Sequence, residues 1–475
     1  MKINKVMKTM KYVFLGALML SFSAPVAAQE DQAAIDAAVQ LIKGNAPDAA
    51  KQVQAIYKKN KKNGEVITGI GRAYYDAKDT VNARIYAEYA TKLNHAPAYV
   101  LLGDICALGE DGGAAAKMYE QAIYFDPKNP DAYYKYASVY RKVSPSGAVE
   151  KLEALREQRP DLPVDALKGR IFYQANDFDG AIDAFRKADR TKMEERDLRS
   201  FAMAYYLTGQ HQPGLEVAEF ALQKSPRDAG FNRIAFFTST DLKDFEKALD
   251  YADRLFNKSD SAKFTYFDYS YYGNALSGVK KHDEAIAAYQ KALEQEFDSN
   301  DKRAGVIKQL ADAYKGIDDY ENAVKYYDQY LKEVSKASVN DYADFGRLYV
   351  QYASTLEGDG KLEKLKKADE IYADLAAKNA DAEEYSLFWR GRVGSMMDPD
   401  LAEGLAQPFY EKLYEIITAK AEKESADVAR LKESANYLMV YYLKVKDDVA
   451  KSKEYARTLA DLEPENETAQ QILAL

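Results

Sequence analysis

The sequence predicts an all-α fold built as a solenoid of antiparallel helix pairs. Three observations support this prediction: a unit of two amphipathic segments recurs about every 33 residues, small residues recur at fixed places within it, and 475 residues are too many for one hydrophobic core. The chain also contains 38 tyrosines, an excess that an aromatic position repeated in every helix would produce. We therefore expect a repeat array rather than several independent domains.

Residues 1–28 have the features of a signal peptide. Four lysines accompany an apolar run from Tyr12 to Phe22, and Val26-Ala27-Ala28 supplies the small residues that a signal peptidase recognises. The run is too short to span a bilayer, and no later segment approaches about 18 consecutive apolar residues. No cysteine directly follows the segment to carry a lipid anchor. We expect cleavage after Ala28, an exported and soluble chain, and no transmembrane helix in the mature protein.

Residues 29–64 are predicted to form an N-terminal helix pair. Its first helix is expected near Asp31–Lys43 and its second at Asp48–Lys59, with a break at Gly44-Asn45-Ala46-Pro47. Asp48 is suited to the N-cap position, and the lysines that follow suit a helix C-terminus. This pair begins the stack.

The segment from Ala96 to Asn129 is the clearest copy of the repeated unit. Its small residues stand where two helices must approach closely and its large residues fill the spaces between them, at Tyr99, Leu102, Gly103, Cys106, Ala115, Tyr119, Ala122 and Pro127. This spacing resembles the tetratricopeptide repeat, a unit of about 34 residues that forms two helices. Only the position of the first tyrosine departs from that pattern, because Cys106 occupies it.

The same register extends over residues 65–336, which we predict to be a regular array. Its anchor is a small residue in the second helix of each unit, at Ala83, Ala115, Ala148, Ala181, Gly214, Ala248, Ala285 and Ala323. The resemblance implies a right-handed superhelical solenoid in which each repeat contacts only its neighbours.

Residues 337–475 are predicted to continue as divergent helix pairs, because the next anchor, Ala368, arrives late. We place Gly358-Asp359-Gly360 in a turn between two helices. The remaining segments are expected at 341–356, 362–379, 385–393, 405–423, 425–445 and 449–462, followed by a capping helix within 465–475. The whole chain would then hold about eleven pairs.

Charge and motif content exclude several classes of function. The net charge is −9, and cleavage of residues 1–28 would remove four lysines and make the chain more acidic. The surface as a whole therefore does not suit nucleic acid or anionic membranes. Phosphate-binding loops, nucleophile elbows and zinc signatures are missing from the sequence. His211 and His282 fall in an aromatic packing position, and Cys106 is expected to be a buried, inert thiol. We therefore expect no enzyme activity, no metal and no cofactor.

The resemblance implies that the first helix of each pair lines a concave groove. The residues in those inward positions form the predicted groove set: Arg72, Tyr75, Tyr134, Arg141, Arg170, Tyr173, Arg196, Arg199, Tyr206, Arg233 and Phe237. Arginine binds carboxylates through two parallel hydrogen bonds, and aromatic side chains supply rigid apolar area, so an extended or acidic peptide would fit. The alternative that these arginines pair with carboxylates of adjacent helices stays open.

Together these features predict a non-enzymatic scaffold of the exported bacterial type that binds a protein or peptide. We expect it in the periplasm or cell envelope of a Gram-negative bacterium, where an envelope complex is a possible partner. The alternative is a glycan-binding protein of the envelope on the same scaffold. Trp389, the single tryptophan, is either a core residue or a ligand anchor.

Overall fold

A computed structural model describes residues 26–44 and 47–475, and all of the regular structure in these ranges is helical. The predicted signal peptide lies outside the described residues except for 26–28, which begin the first helix. No helix in the described ranges is long and apolar enough to cross a membrane.

The chain divides into two compact units, one ending at Val217 and the other beginning at Ala218. This division differs from the predicted boundaries at 64 and 336, which mark changes in repeat spacing and stay predictions. The first unit contains α1 (Val26–Gly44), α2 (Ala49–Lys59), α3 (Gly64–Asp76), α4 (Thr80–Thr91), α5 (Ala96–Leu108), α6 (Gly112–Phe125), α7 (Pro130–Tyr140), α8 (Pro145–Gln158), α9 (Asp165–Gln174), α10 (Phe178–Lys187), α11 (Glu195–Leu207) and the start of α12 (His211–Lys224).

The second unit contains the end of α12 and thirteen further α-helices among the described residues. They are α13 (Ala229–Asp241), α14 (Phe245–Asp253), α15 (Tyr266–Gly278), α16 (His282–Leu293), α17 (Asn300–Gly316), α18 (Tyr320–Glu333), α19 (Val339–Ser354), α20 (Gly358–Lys378), α21 (Glu383–Met397), α22 (Gln407–Thr418), α23 (Ser425–Lys444), α24 (Val449–Leu462) and α25 (Glu467–Ala474).

Consecutive helices pack as pairs, and the described residues form twelve pairs rather than the eleven expected. The last helix, α25, packs on α24 as the predicted cap. The segment Gly358-Asp359-Gly360 is not a turn, because α20 begins at Gly358; the turn lies just before it, at 355–357. The helix predicted at 405–423 is shorter, since α22 ends at Thr418.

The predicted alanine anchors form the contact between the helices of each pair. Their side chains are fully buried at Ala83, Ala115, Ala148, Ala181, Ala248, Ala285, Ala323, Ala368 and Ala456. Full burial of a methyl group at this place allows the two helix backbones to approach closely, so the register read from the sequence is confirmed.

A second contact joins a glycine of the first helix to an aromatic ring of the second. A Cβ atom added at Gly103 would lie 2.3 Å from the ring of Tyr119, and one added at Gly391 would lie 2.5 Å from the ring of Tyr410. The same pairing occurs at Gly169 with Phe185, Gly273 with Tyr289, and Gly346 with Tyr372. The glycine therefore makes room for a large ring that fills the interior of the pair.

The turn inside many pairs has one construction. A residue in the left-handed region, such as Lys78 at φ 65° or Glu110 at φ 59°, precedes an aspartate whose carboxylate accepts a backbone N–H of the next helix. The aspartates are Asp79, Asp111, Asp177, Asp244, Asp319 and Asp448. The cap stabilises the helix start by about 1 kcal/mol and offsets the strain of the left-handed residue. Asp48 also precedes a helix, but its side chain makes no such bond.

Candidate functional site

Three residues of the predicted groove set meet in one cleft of the first unit. Tyr134 of α7, Arg170 of α9 and Arg196 of α11 line a cavity of about 290 Å³. All three helices are the first members of their pairs. The apolar wall of the cleft comes from Pro163, Ala166, Leu167, Ala188 and Met193.

Arg170 is held firmly at the base of this cleft. Its Nε donates to Asp197 Oδ1 at 2.6 Å and its Nη2 donates to Oδ2 at 2.7 Å. The Asp197 side chain is only 3% exposed, so the pair is largely withdrawn from water. Hydrogen bonding to Asp197 raises the pKa of the Arg170 guanidinium. Arg170 is therefore a structural cross-link between α9 and α11 rather than a free anion receptor.

Arg196 is one of two exposed cations that line the cleft, together with Lys192. Its side chain is 61% exposed and pairs with Glu194 in the loop before α11. Lys192 lies 3.5 Å from Asp189 and is also exposed. Because each cation in this cleft has a neighbouring carboxylate, the cleft is close to neutral and combines an apolar wall with exposed polar groups.

Arg72 belongs to a second cross-link in the first unit. Its Nη1 donates to Asp104 Oδ2 at 2.8 Å, and its guanidinium lies 5.2 Å from the ring centroid of Tyr75. Asp104 also accepts hydrogen bonds from Lys135 at 2.7 Å and from the Tyr119 hydroxyl at 2.9 Å. One carboxylate of α5 thus joins α3, α6 and α7.

The other predicted groove residues of the first unit have contacts of their own in the described structure. Arg141 donates to Ser138 Oγ at 2.9 Å, whereas Tyr173 packs against Phe178 with ring centroids 5.7 Å apart. Tyr206 packs edge-on against His211 at 5.5 Å, which agrees with a packing role for that histidine. Arg199 is half-buried on α11.

In the second unit, the two predicted groove residues are also engaged. Arg233 Nε donates to Asp268 Oδ1 at 2.5 Å, and Asp268 is fully buried. Phe237 stacks on Tyr271 with ring centroids 4.2 Å apart. The alternative left open by the sequence therefore holds for Arg72, Arg170 and Arg233, each of which pairs with a carboxylate of the next repeat.

The second unit contains a larger cavity that the sequence did not reveal. Its volume is about 550 Å³ and its walls come from α19, α21 and α23, with contributions from α22 and the loop before it. The lining residues are Val350, Trp389, Arg392, Ser395, Met396, Leu401, Tyr410, Glu433, Asn436, Tyr437 and Val440. The divergent spacing of this region prevented an assignment of inward positions, and the single tryptophan was the only available signal.

Trp389 is both a core contact and part of this cavity wall. Its ring stacks on Tyr372 with centroids 5.6 Å apart and an interplanar angle of 16°. The guanidinium of Arg392 lies 5.3 Å from the indole centroid. The ring is half-buried, so it shapes the cavity while being anchored in the helix pair.

The structure shows the surroundings of Cys106 and His282, two side chains with potentially reactive groups. Cys106 is half-buried rather than buried, with Arg84 Nη2 3.9 Å from its sulfur, because a short side chain in a tyrosine position leaves space that the arginine reaches. The imidazole of His282 occupies the space above Gly316, where an added Cβ would lie 2.7 Å from the ring. Within residues 26–44 and 47–475, no three His, Cys, Asp or Glu side chains are grouped to hold a metal ion.

Comparison with known proteins identifies the repeat. The sequence matches the tetratricopeptide repeat family at residues 96–129, 272–298 and 309–333. No curated protein matches the sequence.

Several solved structures are similar to this chain. The C-terminal part of a TPR repeat-containing protein from Cytophaga hutchinsonii is 20% identical, with a TM-score of 0.48, and the match covers 58% of this chain and all of that one. A tetratricopeptide repeat protein from Parabacteroides merdae ATCC 43184 is 17% identical, with a TM-score of 0.34 and coverage of 52% and 97%. The structure of Naa15/Naa10 bound to HypK-THB is 13% identical, with a TM-score of 0.35 and coverage of 93% and 64%. Likeness at this level carries no function across.

Proposed function

We propose that this chain, a tetratricopeptide repeat protein, is a non-enzymatic scaffold that binds an extended segment of a partner protein. The proposal is carried by the cleft of Tyr134, Arg170 and Arg196, which opens on the first helices of three consecutive pairs. Helix-pair repeats present long surfaces of this kind, and a few anchor residues supply most of the binding free energy.

The chemistry of the cleft suggests what the bound segment contains. Leu167 and Met193 offer an apolar wall, and Arg196 is exposed enough to exchange its contact with Glu194 for a contact with a partner carboxylate. Arg170 is unsuited to that role because binding an anion would remove its bond to buried Asp197. The favoured segment is therefore an extended peptide with an apolar side chain beside an acidic one.

A charge reversal at the rim of the cleft tests this proposal. A random dodecapeptide library would be selected on the intact protein, and the enriched peptides would be titrated against Arg196→Glu. We expect binding to weaken about tenfold, or about 1.4 kcal/mol, because the reversed charge repels the acidic side chain.

The matched control is Lys187→Glu, which makes the same charge change at an exposed site outside the cleft. Equal weakening by both variants would assign the effect to net charge and contradict the cleft. Selection that enriches no peptide would contradict the scaffold function itself. Arg170→Glu is not a suitable variant, since it would place a second carboxylate beside Asp197 and test folding instead.

We also propose that the protein is exported and acts in the periplasm or cell envelope. The support is the sequence of residues 1–28, with its lysines, apolar run and small residues at the cleavage position. Expression of the full chain in a Gram-negative host should give a periplasmic protein that begins at Gln29 when its N-terminus is sequenced. A cytoplasmic protein that retains residues 1–28 would contradict export.

Glycan binding remains the alternative, and Trp389 is the residue that would carry it. Sugars bind to open aromatic faces, but this indole is already in contact with Tyr372 and Arg392. Those contacts leave less of the ring for a sugar, so we favour the protein-binding function.

A further inference from the structure

We propose that the cavity beside Trp389 is a binding subsite for one large uncharged side chain, aromatic or aliphatic, of a peptide partner. The inference rests on the proposed function for the identity of the guest as a peptide. It goes beyond that function by assigning a second site, in the other unit, with its own chemistry.

The cavity lies on the surface that the first helices of three pairs share. Trp389, Arg392 and Met396 follow one another on α21 at intervals of three and four residues, as Glu433, Asn436 and Val440 do on α23. Residues with this spacing lie on one face of a helix. Val350 supplies the matching wall from α19. The cavity is therefore formed by one face of each of these first helices.

The size and walls of the cavity suit a large apolar side chain. Its volume of about 550 Å³ falls within the range of roughly 300–1,000 Å³ typical of ligand pockets. Val350, Leu401 and Val440 form apolar walls, and Met396 is 44% exposed at its edge. Methionine is flexible and polarisable, so it can adapt to aromatic or aliphatic guests.

The two charged side chains of the cavity, Arg392 and Glu433, are already paired with each other. Arg392 Nε and Nη2 donate to the two oxygens of Glu433 at 2.7 and 2.6 Å. The Tyr410 hydroxyl donates to Glu433 at 2.9 Å. An anionic guest would have to displace Glu433 from Arg392, and a cationic guest would have to displace Arg392 from Glu433. This paired floor therefore favours an uncharged guest.

Two parts of the wall are held in place by packing and hydrogen bonds before any guest arrives. Tyr410 is 2% exposed and fits over Gly391. The loop that bears Leu401 is fixed by buried Asp398, whose carboxylate accepts the backbone N–H of Glu403 at 3.0 Å and of Gly404 at 2.7 Å. A preformed cavity costs less ordering free energy on binding, which makes an anchor role physically favourable.

The single tryptophan of the chain provides a direct test, because its fluorescence reports on this cavity alone. The intact protein would be titrated with three probes: N-acetyl-phenylalanine amide, N-acetyl-glutamate amide and maltotetraose. We expect a saturable change in Trp389 emission with the phenylalanine probe at concentrations at least tenfold lower than with either of the others. Saturation by the glutamate probe or by maltotetraose at equal or lower concentrations would overturn the inference.

A variant pair shows whether the response arises in the cavity. Met396→Glu places a charge at the edge of the cavity on an exposed position, and should weaken phenylalanine-probe binding at least tenfold. Val449→Glu makes a similar change at a 37% exposed residue of α24 that does not line the cavity, and should leave binding unchanged. Circular dichroism would establish that both variants fold. Equal effects of the two variants would overturn the inference.

The peptide library separates this inference from the proposed function. If peptides bind but their affinity is insensitive to Met396→Glu, the cavity is not their anchor and the inference fails while the scaffold function stands. If the phenylalanine probe binds as expected but no peptide is enriched, the cavity stands as an apolar site and the scaffold function fails.

Discussion

Asp104 shows how single carboxylates hold this fold together at the residue scale. Its two oxygens accept hydrogen bonds from Arg72 of the preceding repeat, Lys135 of the following repeat and Tyr119 of its own pair. In the same way, Asp197 accepts a hydrogen bond from Arg170, and Asp268 accepts one from Arg233. Because the carboxylates are at most 10% exposed and the cations only partly exposed, these pairs fix neighbouring helices against each other and reduce the free charge of the inward faces.

Asp341 gives this bridging a measurable pH dependence. Burial opposes ionisation of its carboxyl, but the hydrogen bonds from Lys308 and Ser338 outweigh burial and hold its pKa at about 2. The unfolded chain titrates nearer 3.9. The stabilisation by ionised Asp341 is therefore complete above about pH 4 and is lost as the pH falls towards 2.

We expect Asp341→Asn to lower the free energy of unfolding at pH 7, and to show a smaller loss of stability between pH 4 and pH 2 than the natural protein. Urea denaturation at pH 7, 4 and 2.5 would measure both effects. Asp374→Asn is the control, since that carboxylate is 70% exposed and contacts only Lys378 across 3.8 Å in the described structure. If the two variants lose stability in parallel over this range, Asp341 is not the bridging group.

At the scale of the helix, the glycine–aromatic contact decides which glycines are required. Gly273 lies under the ring of Tyr289, where an added Cβ would approach to 2.4 Å, and that ring is 2% exposed. Gly305, on α17, has no atom within 4 Å of an added Cβ. Both glycines stand inside first helices of their pairs, so they differ in packing rather than in secondary structure.

The same substitution should therefore have opposite effects at these two sites. Gly273→Ala should destabilise the protein by about 1–3 kcal/mol, because the methyl group overpacks a buried ring. Gly305→Ala should stabilise it by about 0.5–1 kcal/mol, because alanine restricts the unfolded chain and favours the helix. Thermal and urea denaturation of the two variants would measure the difference. Destabilisation by both would show that the contact with Tyr289 is not the cause.

At the scale of the whole molecule, stability is local. Within each unit, the extensive contacts between helices join helices that are neighbours or next neighbours in sequence. Arrays of this kind behave as chains of coupled repeats, in which a local defect lowers stability nearby and is felt less with distance. The array can accordingly tolerate divergent repeats, such as those after residue 336, without losing the others.

Hydrogen exchange should reveal this locality. In Gly273→Ala we expect faster amide exchange in α15, α16 and α17, which contact one another, and unchanged exchange in α3 to α6 of the first unit. Mass spectrometry of peptide fragments would resolve these segments. Uniformly faster exchange over all helices would show instead that the chain unfolds as one cooperative body.

The residue pattern alone was enough to predict the helix pairs, their register and the small residues between them. This was possible because Ala115 and its equivalents recur at nearly constant spacing. A small residue between two helices lets their backbones approach closely wherever it occurs. The resemblance to the repeat family implied inward positions for Tyr134, Arg170 and Arg196, and all three line one cleft.

The partners of Arg170, Arg233 and Arg392 depend on tertiary packing. The carboxylate that binds Arg170 lies 27 residues further along the chain, the one that binds Arg233 lies 35 further, and the one that binds Arg392 lies 41 further. The interval changes with the length of the loops, so no constant spacing identifies the partner. The cavity beside Trp389 was unreadable for the same reason: its walls come from three helices whose relative register is fixed by packing rather than by the repeat.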